Sequence, residues 1–325
     1  MLVSAVVVSY DARELLLDCL NSLVRALEEA GSECEIVVVD NHSRDGAPQA
    51  ARERFPDLQV VELAENVGFA AAVNIGVRET SGDWVLLLNN DATIEPRAVR
   101  ALLDAASGRD DVGSLATQMR FSRGGAINSA GIGVDRLGVA FDRHIGRPPE
   151  DGEREVTDVF GASAGAALMR RSMLEQIGGF DESLFMYLDD VDVAWRARMH
   201  GWRCLYVPGA VVHHHHSTSS VHGSAFKHFH VGRNRVRLLA KHVPARHLLR
   251  YAPAILINDL AYVVFAAVAD RTLAPLRGRL RGLREWRTYR ATGTGRRAVP
   301  LAPSQSPLRA LARRRGAAGG TALRG

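Results

Sequence analysis

The run Trp84-Val85-Leu86-Leu87-Leu88-Asn89-Asn90-Asp91 constrains the fold more than any other stretch of the chain. An apolar run this short and uninterrupted reads as a strand buried on both faces, as in a parallel sheet covered by helices. In open α/β sheets, ligands bind beyond the carboxyl ends of the strands. Asp91 therefore stands where a buried strand delivers a carboxylate to a cleft. A hard carboxylate there suits Mg²⁺ or Mn²⁺ holding a diphosphate. Asn and Asp also favour turns, so the same residues read equally as a plain strand-to-loop junction.

The sequence before this run repeats the rhythm. Residues 3–9 are β-branched and apolar and form a first strand, closed by Ser9-Tyr10-Asp11. A helical pattern through Leu15, Leu16, Leu20, Leu23 and Leu27 ends at Gly31. Glu35-Ile36-Val37-Val38-Val39 is a second buried strand, ending in Asp40-Asn41-His42-Ser43. A short helix to about Phe55 and a strand near 58–63 follow. The alternation predicts parallel strands with right-handed crossovers, a Rossmann-like half. After the 84–88 strand, a helix over 96–106 and a strand near 112–116 are expected. Residues 120–158 are richer in Gly, Arg and Asp and read as loops and short strands over the cleft.

Several stretches carry candidate chemistry, each with a bland counterpart. Asn66-Val67-Gly68-Phe69 opens a helix where Gly68 would let backbone approach an anion, or simply start a capped helix. It is neither a P-loop nor Gly-x-Gly-x-x-Gly. The small residues of 161–167 permit close approach to a sugar, or tight packing. Asp189, Asp190 and Asp192 crowd one helix start. Capping and the helix dipole explain one or two of them, but like charges also raise one another's pKa, and such a carboxylate can act as a general base. His213, His214, His215 and His216 end a strand, and neutral imidazole is a metal ligand.

Charge divides the chain. From Arg271 onward there are fourteen arginines, no lysine and one acid, a net of +13, so the first 270 residues carry −8 of the overall +5. The folded body is thus not expected to bind nucleic acid, and the tail is expected to meet an anionic surface or solvent. Three widely spaced cysteines suggest neither a zinc knuckle nor a disulfide framework, which points to a reducing cytoplasm. The first residues read as a strand rather than a leader.

Taken in order, Val6-Val7-Val8-Ser9-Tyr10, Val38-Val39-Asp40-Asn41-His42-Ser43, Asn66-Val67-Gly68-Phe69, Leu88-Asn89-Asn90-Asp91 and Asp189-Asp190-Val191-Asp192, with Gly201-Trp202 and the histidine run after them, resemble the inverting glycosyltransferases of family 2. The nearest look is to the bacterial rhamnosyltransferase-like branch that builds cell-surface polysaccharide, over about residues 3–240. The resemblance implies a GT-A type α/β fold: a mostly parallel sheet flanked by helices, with a C-terminal helical extension. It implies that Asp40 bonds a uracil or thymine ring, with Ser9 and Tyr10 beside it and Asn66, Gly68, Asn89 and Asn90 in the nucleotide region. Asp91 matches the last acid of the Asp-x-Asp metal motif, whose first acid is replaced by Asn89. Asp190 matches the catalytic base, with Asp189 in place of a Glu. His214 best matches the histidine that completes the site for Mg²⁺ or Mn²⁺, with His213 as the alternative register. The expected reaction moves a sugar from a nucleotide diphosphate, dTDP-rhamnose first and a UDP-sugar next, to a glycan or lipid-linked hydroxyl with inversion. A nucleotidyltransferase of the same fold would carry a Gly-rich basic loop where Ser9-Tyr10-Asp11 stands. The rival of another class is a catalytically inactive, membrane-associated nucleotide-binding or scaffold protein, supported by the altered metal motif.

The expected boundaries are a glycosyltransferase domain at 1–216, a helical hydrophobic and basic extension at 217–291, and an Arg-rich disordered tail at 292–325. Lys227, His228, Arg233, Asn234, Arg235 and Arg237 read either as a phosphate or membrane contact or as a solvated helix face. Residues 251–269 are mostly apolar but interrupted by Pro253, Asn258 and Asp259. They read as a helix packed on the body or lying in a membrane interface, giving peripheral contact through 251–290 at the inner face of the plasma membrane.

Overall fold

The computed structural model describes residues 2–215, 224–293 and 299–304. His216 and most of the tail lie outside the described residues. Contacts divide the chain into two units. One is Met1–Ile132 with Asp142–Ser219, and the other is Gly133–Phe141 with Ser220–Gly325.

The first unit is a ten-stranded mixed sheet covered by helices. Its elements begin β1 (Val3–Ser9), α1 (Arg13–Ala30), β2 (Cys34–Asp40), α2 (Ala47–Arg54), β3 (Gln59–Glu62), α3 (Phe69–Arg78), β4 (Trp84–Leu88) and β5 (Ala92–Ile94). They continue with α4 (Ala98–Ala106), β6 (Val112–Phe121), β7 (Ile127–Ser129) and β10 (Thr157–Val159), whereas β8 (Ile132–Val134) and β9 (Ala140–Asp142) belong mostly to the second unit. β11 (Ala166–Arg170), α5 (Arg171–Ile177), α6 (Asp189–Met199) and β12 (Arg203–His214) complete the series. The main sheet runs β10-β12-β6-β11-β4-β1-β2-β3, with β5 on β12 and β7 on β6. β8 and β9 form a separate two-stranded ladder.

The parallel half is the one that the apolar runs predict. β4 pairs parallel with β1 and β1 with β2, in a register that places Ser9 opposite Asp40. Every residue of β4 is buried, because helices cover both faces of the sheet. Leu16, Leu20, Leu23 and Leu27 of α1 pack with Leu86 and Leu88 on one face, while Leu87 and Val85 join the core on the other. α1 ends at Gly31 in the left-handed conformation (φ 63°). The other half is not parallel: β11 lies antiparallel between β4 and β6. No periodicity in its short, small-residue strands announces that reversal. β12 follows β6 in parallel, but between Val207 and Val211 the register jumps, so that Pro208-Gly209-Ala210 loops out. Proline lacks a ladder donor and belongs at such an irregularity.

The second unit contains α7 (Ala225–His242), α8 (Ala245–Ala269), α9 (Ala274–Arg284) and α10 (Trp286–Ala291). Most of its basic stretch is not the solvated helix face that the sequence allowed, because His228, Asn234, Arg235 and Arg237 are buried. Arg235 pairs with Asp259 at 2.5 Å, Arg237 with Glu285 at 2.6 Å, and His228 lies 3.0 Å from Asp270. The acids that neutralise this stretch lie later in the chain, Asp259 within α8 and Asp270 and Glu285 at helix ends. Asp259, an interruption of the apolar run in sequence, is turned inward between Arg235 and Arg279. α8 buries only Val263 and Ala266, so the helix does not pack along its length. A piece of the expected disordered tail is held in place, because Ala302 N–H donates to the Val134 carbonyl and Arg136 N–H to the Ala302 carbonyl.

Candidate active site

The strand ends of β1, β2 and β4 place three polar groups along one edge of the parallel half. Ser9 and Asp40 are register partners at the ends of β1 and β2. Ser43 N–H donates to Asp40 Oδ2 at 2.9 Å. The other carboxylate oxygen, Asp40 Oδ1, and the Ser9 hydroxyl are buried with no hydrogen-bond partner among the described residues. Buried polar atoms are normally paired, and an unmet pair at a strand-end cleft fits a ligand that supplies the missing donors and acceptors. Tyr10 is exposed beside them.

Asn66 and Gly68 sit in a braced loop. Asn41 Nδ2 donates to Asn66 Oδ1, which also accepts from Gly68 N–H, while Val67 N–H donates to Asn41 Oδ1. Gly68 adopts φ 86°, and a Cβ there would lie 2.5 Å from the Phe185 ring. The close approach that this glycine permits is thus to Phe185. Ala70 N–H, at the start of α3, is also used, donating to the Phe185 carbonyl.

Asp91 and His214 meet. β5 follows Asp91 directly and pairs antiparallel with β12, setting His214 opposite Ala92. His214 Nε2 then lies 3.2 Å from Asp91 Oδ1, with both side chains largely buried. His214 Nδ1 is 3.1 Å from Asn128 Oδ1, an oxygen that can only accept. In the tautomer that donates from Nδ1 to Asn128, Nε2 would offer its lone pair to a cation held beside Asp91. His213 points to the other side of the strand, 3.0 Å from Glu95. The alternation of β12 therefore separates two histidines that sequence leaves equivalent. His215 contributes its backbone N–H to the Asp91 carbonyl. The Asn89 carbonyl accepts from Ala92 N–H and the Cys19 thiol.

Asp91 and His214 are two donors of the kind that hold a divalent cation, and the hydrogen bond from Nδ1 orients the imidazole as such ligands usually are. Among the described residues no cluster of three His, Cys, Asp or Glu side chains could hold a metal alone. The pair fits as the protein's part of a divalent-cation site, which would need further ligands from elsewhere.

The small-residue stretch ties the Asn89 backbone to the acidic helix. Gly165 accepts from Asn89 N–H, and the neighbouring Ala164 N–H donates to Asp190 Oδ2 at 3.3 Å. A Cβ on Gly161 would lie 2.3 Å from the Ala194 Cβ, so its smallness lets α6 come close. The three acids of α6 separate into distinct roles. Asp192 is fully buried and paired with Arg196 at 2.7 Å, and Arg196 also donates to the Ile177 carbonyl. That pair fastens α6 to α5. Burial raises the Asp189 carboxyl to about 8, with Asp190 and Asp192 adding repulsion. Burial also raises Asp190, to about 6, and repulsion from Asp142 contributes. Both carboxyls are thus pushed towards the neutral form, Asp189 further than Asp190, which leaves Asp190 the readier of the two to carry charge. The segment entering α6 is strained: Phe185, Tyr187 and Leu188 all have positive φ, a region disfavoured for bulky residues.

Asn128 and Asp142 escaped the sequence reading. Both lie in 120–158, where strands are short and no spacing signals them.

The chain matches the Glycosyl transferase family 2 domain over residues 4–178. It is 35% identical over 210 residues to N-acetylglucosaminyl-diphospho-decaprenol L-rhamnosyltransferase of Mycobacterium tuberculosis, covering 56% of this chain and 67% of that protein. Among solved structures, the fold is similar to GalNAc-T7 with UDP, GalNAc and Mn2+, at a TM-score of 0.63 and 15% identity, covering 88% of this chain. This chain spans only 57% of that neighbour's length. The mannosyltransferase PcManGT from Pyrobaculum calidifontis, in complex with GDP-Man and Mn2+, aligns at a TM-score of 0.51 and 20% identity, over 99% of this chain and 80% of its own. The sheet and its flanking helices are of the GT-A type. The chain belongs to glycosyltransferase family 2.

Proposed function

We propose that this glycosyltransferase moves a sugar from a pyrimidine nucleotide diphosphate to a hydroxyl of a lipid-linked or growing glycan, inverting the anomeric centre. dTDP-rhamnose is the first donor to consider and a UDP-sugar the second. The observation that carries the reading is the Asp91–His214 pair, together with the 164–165 backbone that bonds both Asp190 and the Asn89 N–H two residues before Asp91. The rhamnosyltransferase relative favours the deoxysugar and the lipid-linked acceptor.

In this reading Asp40 Oδ1 accepts the ring N–H of uracil or thymine, and Ser9 bonds a neighbouring polar atom of the base. Asp91 and His214 would hold Mg²⁺ or Mn²⁺ against the diphosphate, and that cation would supply the Lewis acidity that stabilises the leaving group. Asp190 takes the proton of the attacking hydroxyl. Its neighbour Asp189, pushed further towards the neutral form by burial, is the less ready of the two for that role. Attack from the face opposite the leaving group needs one base and no second carboxylate, in contrast to hydrolases that use a pair. The apolar and basic helices of the second unit would hold the enzyme at the cytoplasmic face of a membrane, where a lipid-linked acceptor is found.

Calorimetric titration with UDP, dTDP, GDP and ADP, each with and without Mn²⁺, tests the reading. Metal-dependent binding confined to UDP or dTDP is expected. Binding of none of the four would discard the donor site and favour an inactive scaffold.

A further inference from the structure

We propose that the N-terminal end of α8 forms a pocket for the phosphate of an anionic membrane lipid, with the outer face of the same helix seated in the adjoining acyl boundary. The proposal rests on the membrane-docking reading of the second unit and gives it a specific binding site.

A cavity of about 640 Å³ lies at this end of α8. Arg136, Arg246 and Arg250 line it, and no carboxylate does. Among the described residues none of the three guanidinium groups has an ion-pair partner. They differ in this from Arg235, Arg237 and Arg279, which are consumed by Asp259 and Glu285. The walls are fixed. His247 Nε2 donates to the Arg136 carbonyl at 2.7 Å, and its ring lies 4.6 Å from that of Tyr251. Val299 and Leu301 close the far side on the extended segment that Ala302 ties to Val134 and Arg136. Three unpaired guanidinium groups around one walled space suit a phosphate, which arginine can bind through paired N–H groups.

The outer face of α8 continues the same line. At 100° per residue, Arg246, Arg250, Ile257, Leu260, Val264 and Val268 fall on one stripe. The apolar members are exposed, from 53% for Val264 to 77% for Val268, and Leu249 beside them is exposed by 79%. The helix has one acid, Asp259, and it faces inward. The stripe is therefore cationic at its first turns and apolar thereafter. A bilayer surface offers the matching order, phosphate beside acyl chain. A second copy of the chain matches less well. Parallel pairing would set arginine against arginine, and antiparallel pairing would set arginine against leucine and valine.

Vesicle sedimentation of the full chain at fixed ionic strength tests the pocket. The wild type should bind phosphatidylglycerol-containing vesicles at least tenfold better than pure phosphatidylcholine. Arg246→Gln/Arg250→Gln should lose at least tenfold more affinity than Arg277→Gln/Arg284→Gln, which removes the same charge from exposed positions of α9. Arg246→Lys/Arg250→Lys, which keeps the charge but not the fork, should bind at an intermediate level. Mn²⁺-dependent nucleotide binding, unchanged in all variants, shows that they are folded. Equal losses in the two glutamine pairs would overturn the pocket and leave general electrostatic docking standing. No vesicle binding by the wild type would overturn membrane docking and the pocket together. A solution dimer broken by Leu256→Ser/Leu260→Ser, with vesicle binding unaffected, would assign the face to a second copy and overturn the proposal.

Discussion

At the scale of single residues, the proposed mechanism depends on two adjacent carboxyls holding different protonation states. Asp190 must be charged to accept a proton, and burial with repulsion from Asp142 raises it to about 6. An unperturbed aspartate would be ionised by about pH 5. The acid limb of kcat/KM should therefore lie near pH 6, with activity rising through that value. Asp142→Asn removes a negative neighbour and should move the limb to lower pH. A limb that stays in place would separate Asp142 from the base. Asp190→Asn should lower kcat by about 10³-fold, in the range general-base removal produces, while nucleotide affinity is retained. The folded state also raises the pKa of this carboxyl, so its charge opposes folding above the unfolded value, and Asp190→Asn should melt no lower than wild type. Near-normal turnover in that variant would remove Asp190 from the mechanism. The two histidines give an independent check. His214→Ala should weaken Mn²⁺-dependent donor binding by about tenfold or more, whereas His213→Ala should leave it within about twofold. Equal effects would contradict the assignment of His214 Nε2 to the metal.

At the scale of elements, close approach is bought with glycine in both units. α9 lies against α7 through Gly278, where a Cβ would sit 2.1 Å from the Phe229 carbonyl, and Gly282, where it would sit 2.7 Å from the Arg233 carbonyl. From the other side, Gly232 meets the Pro275 carbonyl. The obstructing atoms are backbone, so neighbouring side chains cannot relieve the clash by changing rotamer. Gly278→Val should lower the melting temperature by several degrees, because overpacking of about 1–3 kcal/mol exceeds the helix-propensity gain over glycine. A melting curve unchanged from wild type would mean that the two helices separate at little cost. The elements themselves were unequally legible. The buried strands β1, β2 and β4 are visible because apolar residues run without a break, and α1 is visible because leucines recur at helical spacing. The reversal at β11 was not visible, since a five-residue strand of small side chains looks the same in either direction. The inward turn of the basic stretch was hidden for another reason: Arg235 and Arg237 find their acids 24 and 48 residues away.

At the scale of the whole molecule, charge follows the sequence and its use follows the fold. The net of +13 after residue 270 and −8 before it is plain from composition. Composition does not distinguish Arg279, buried beside Asp259, from Arg277 on the same helix, which is exposed. The sequence by itself determined β1, β2 and β4 of the parallel half, because burial leaves an apolar signature in those strands. It also determined the order of the family motifs, because motif order is a property of the chain. Only tertiary structure decided which histidine faces Asp91, since that depends on how β5 pairs with β12. Only tertiary structure divided the three acids of α6, since the helix turns Asp192 towards Arg196 and leaves Asp190 against the Ala164 backbone. Only it left the outer face of α8 without an acid, by turning Asp259 inward. In each case the deciding contact joins residues far apart in the chain, and their meeting is set by sheet order and helix packing rather than by local spacing.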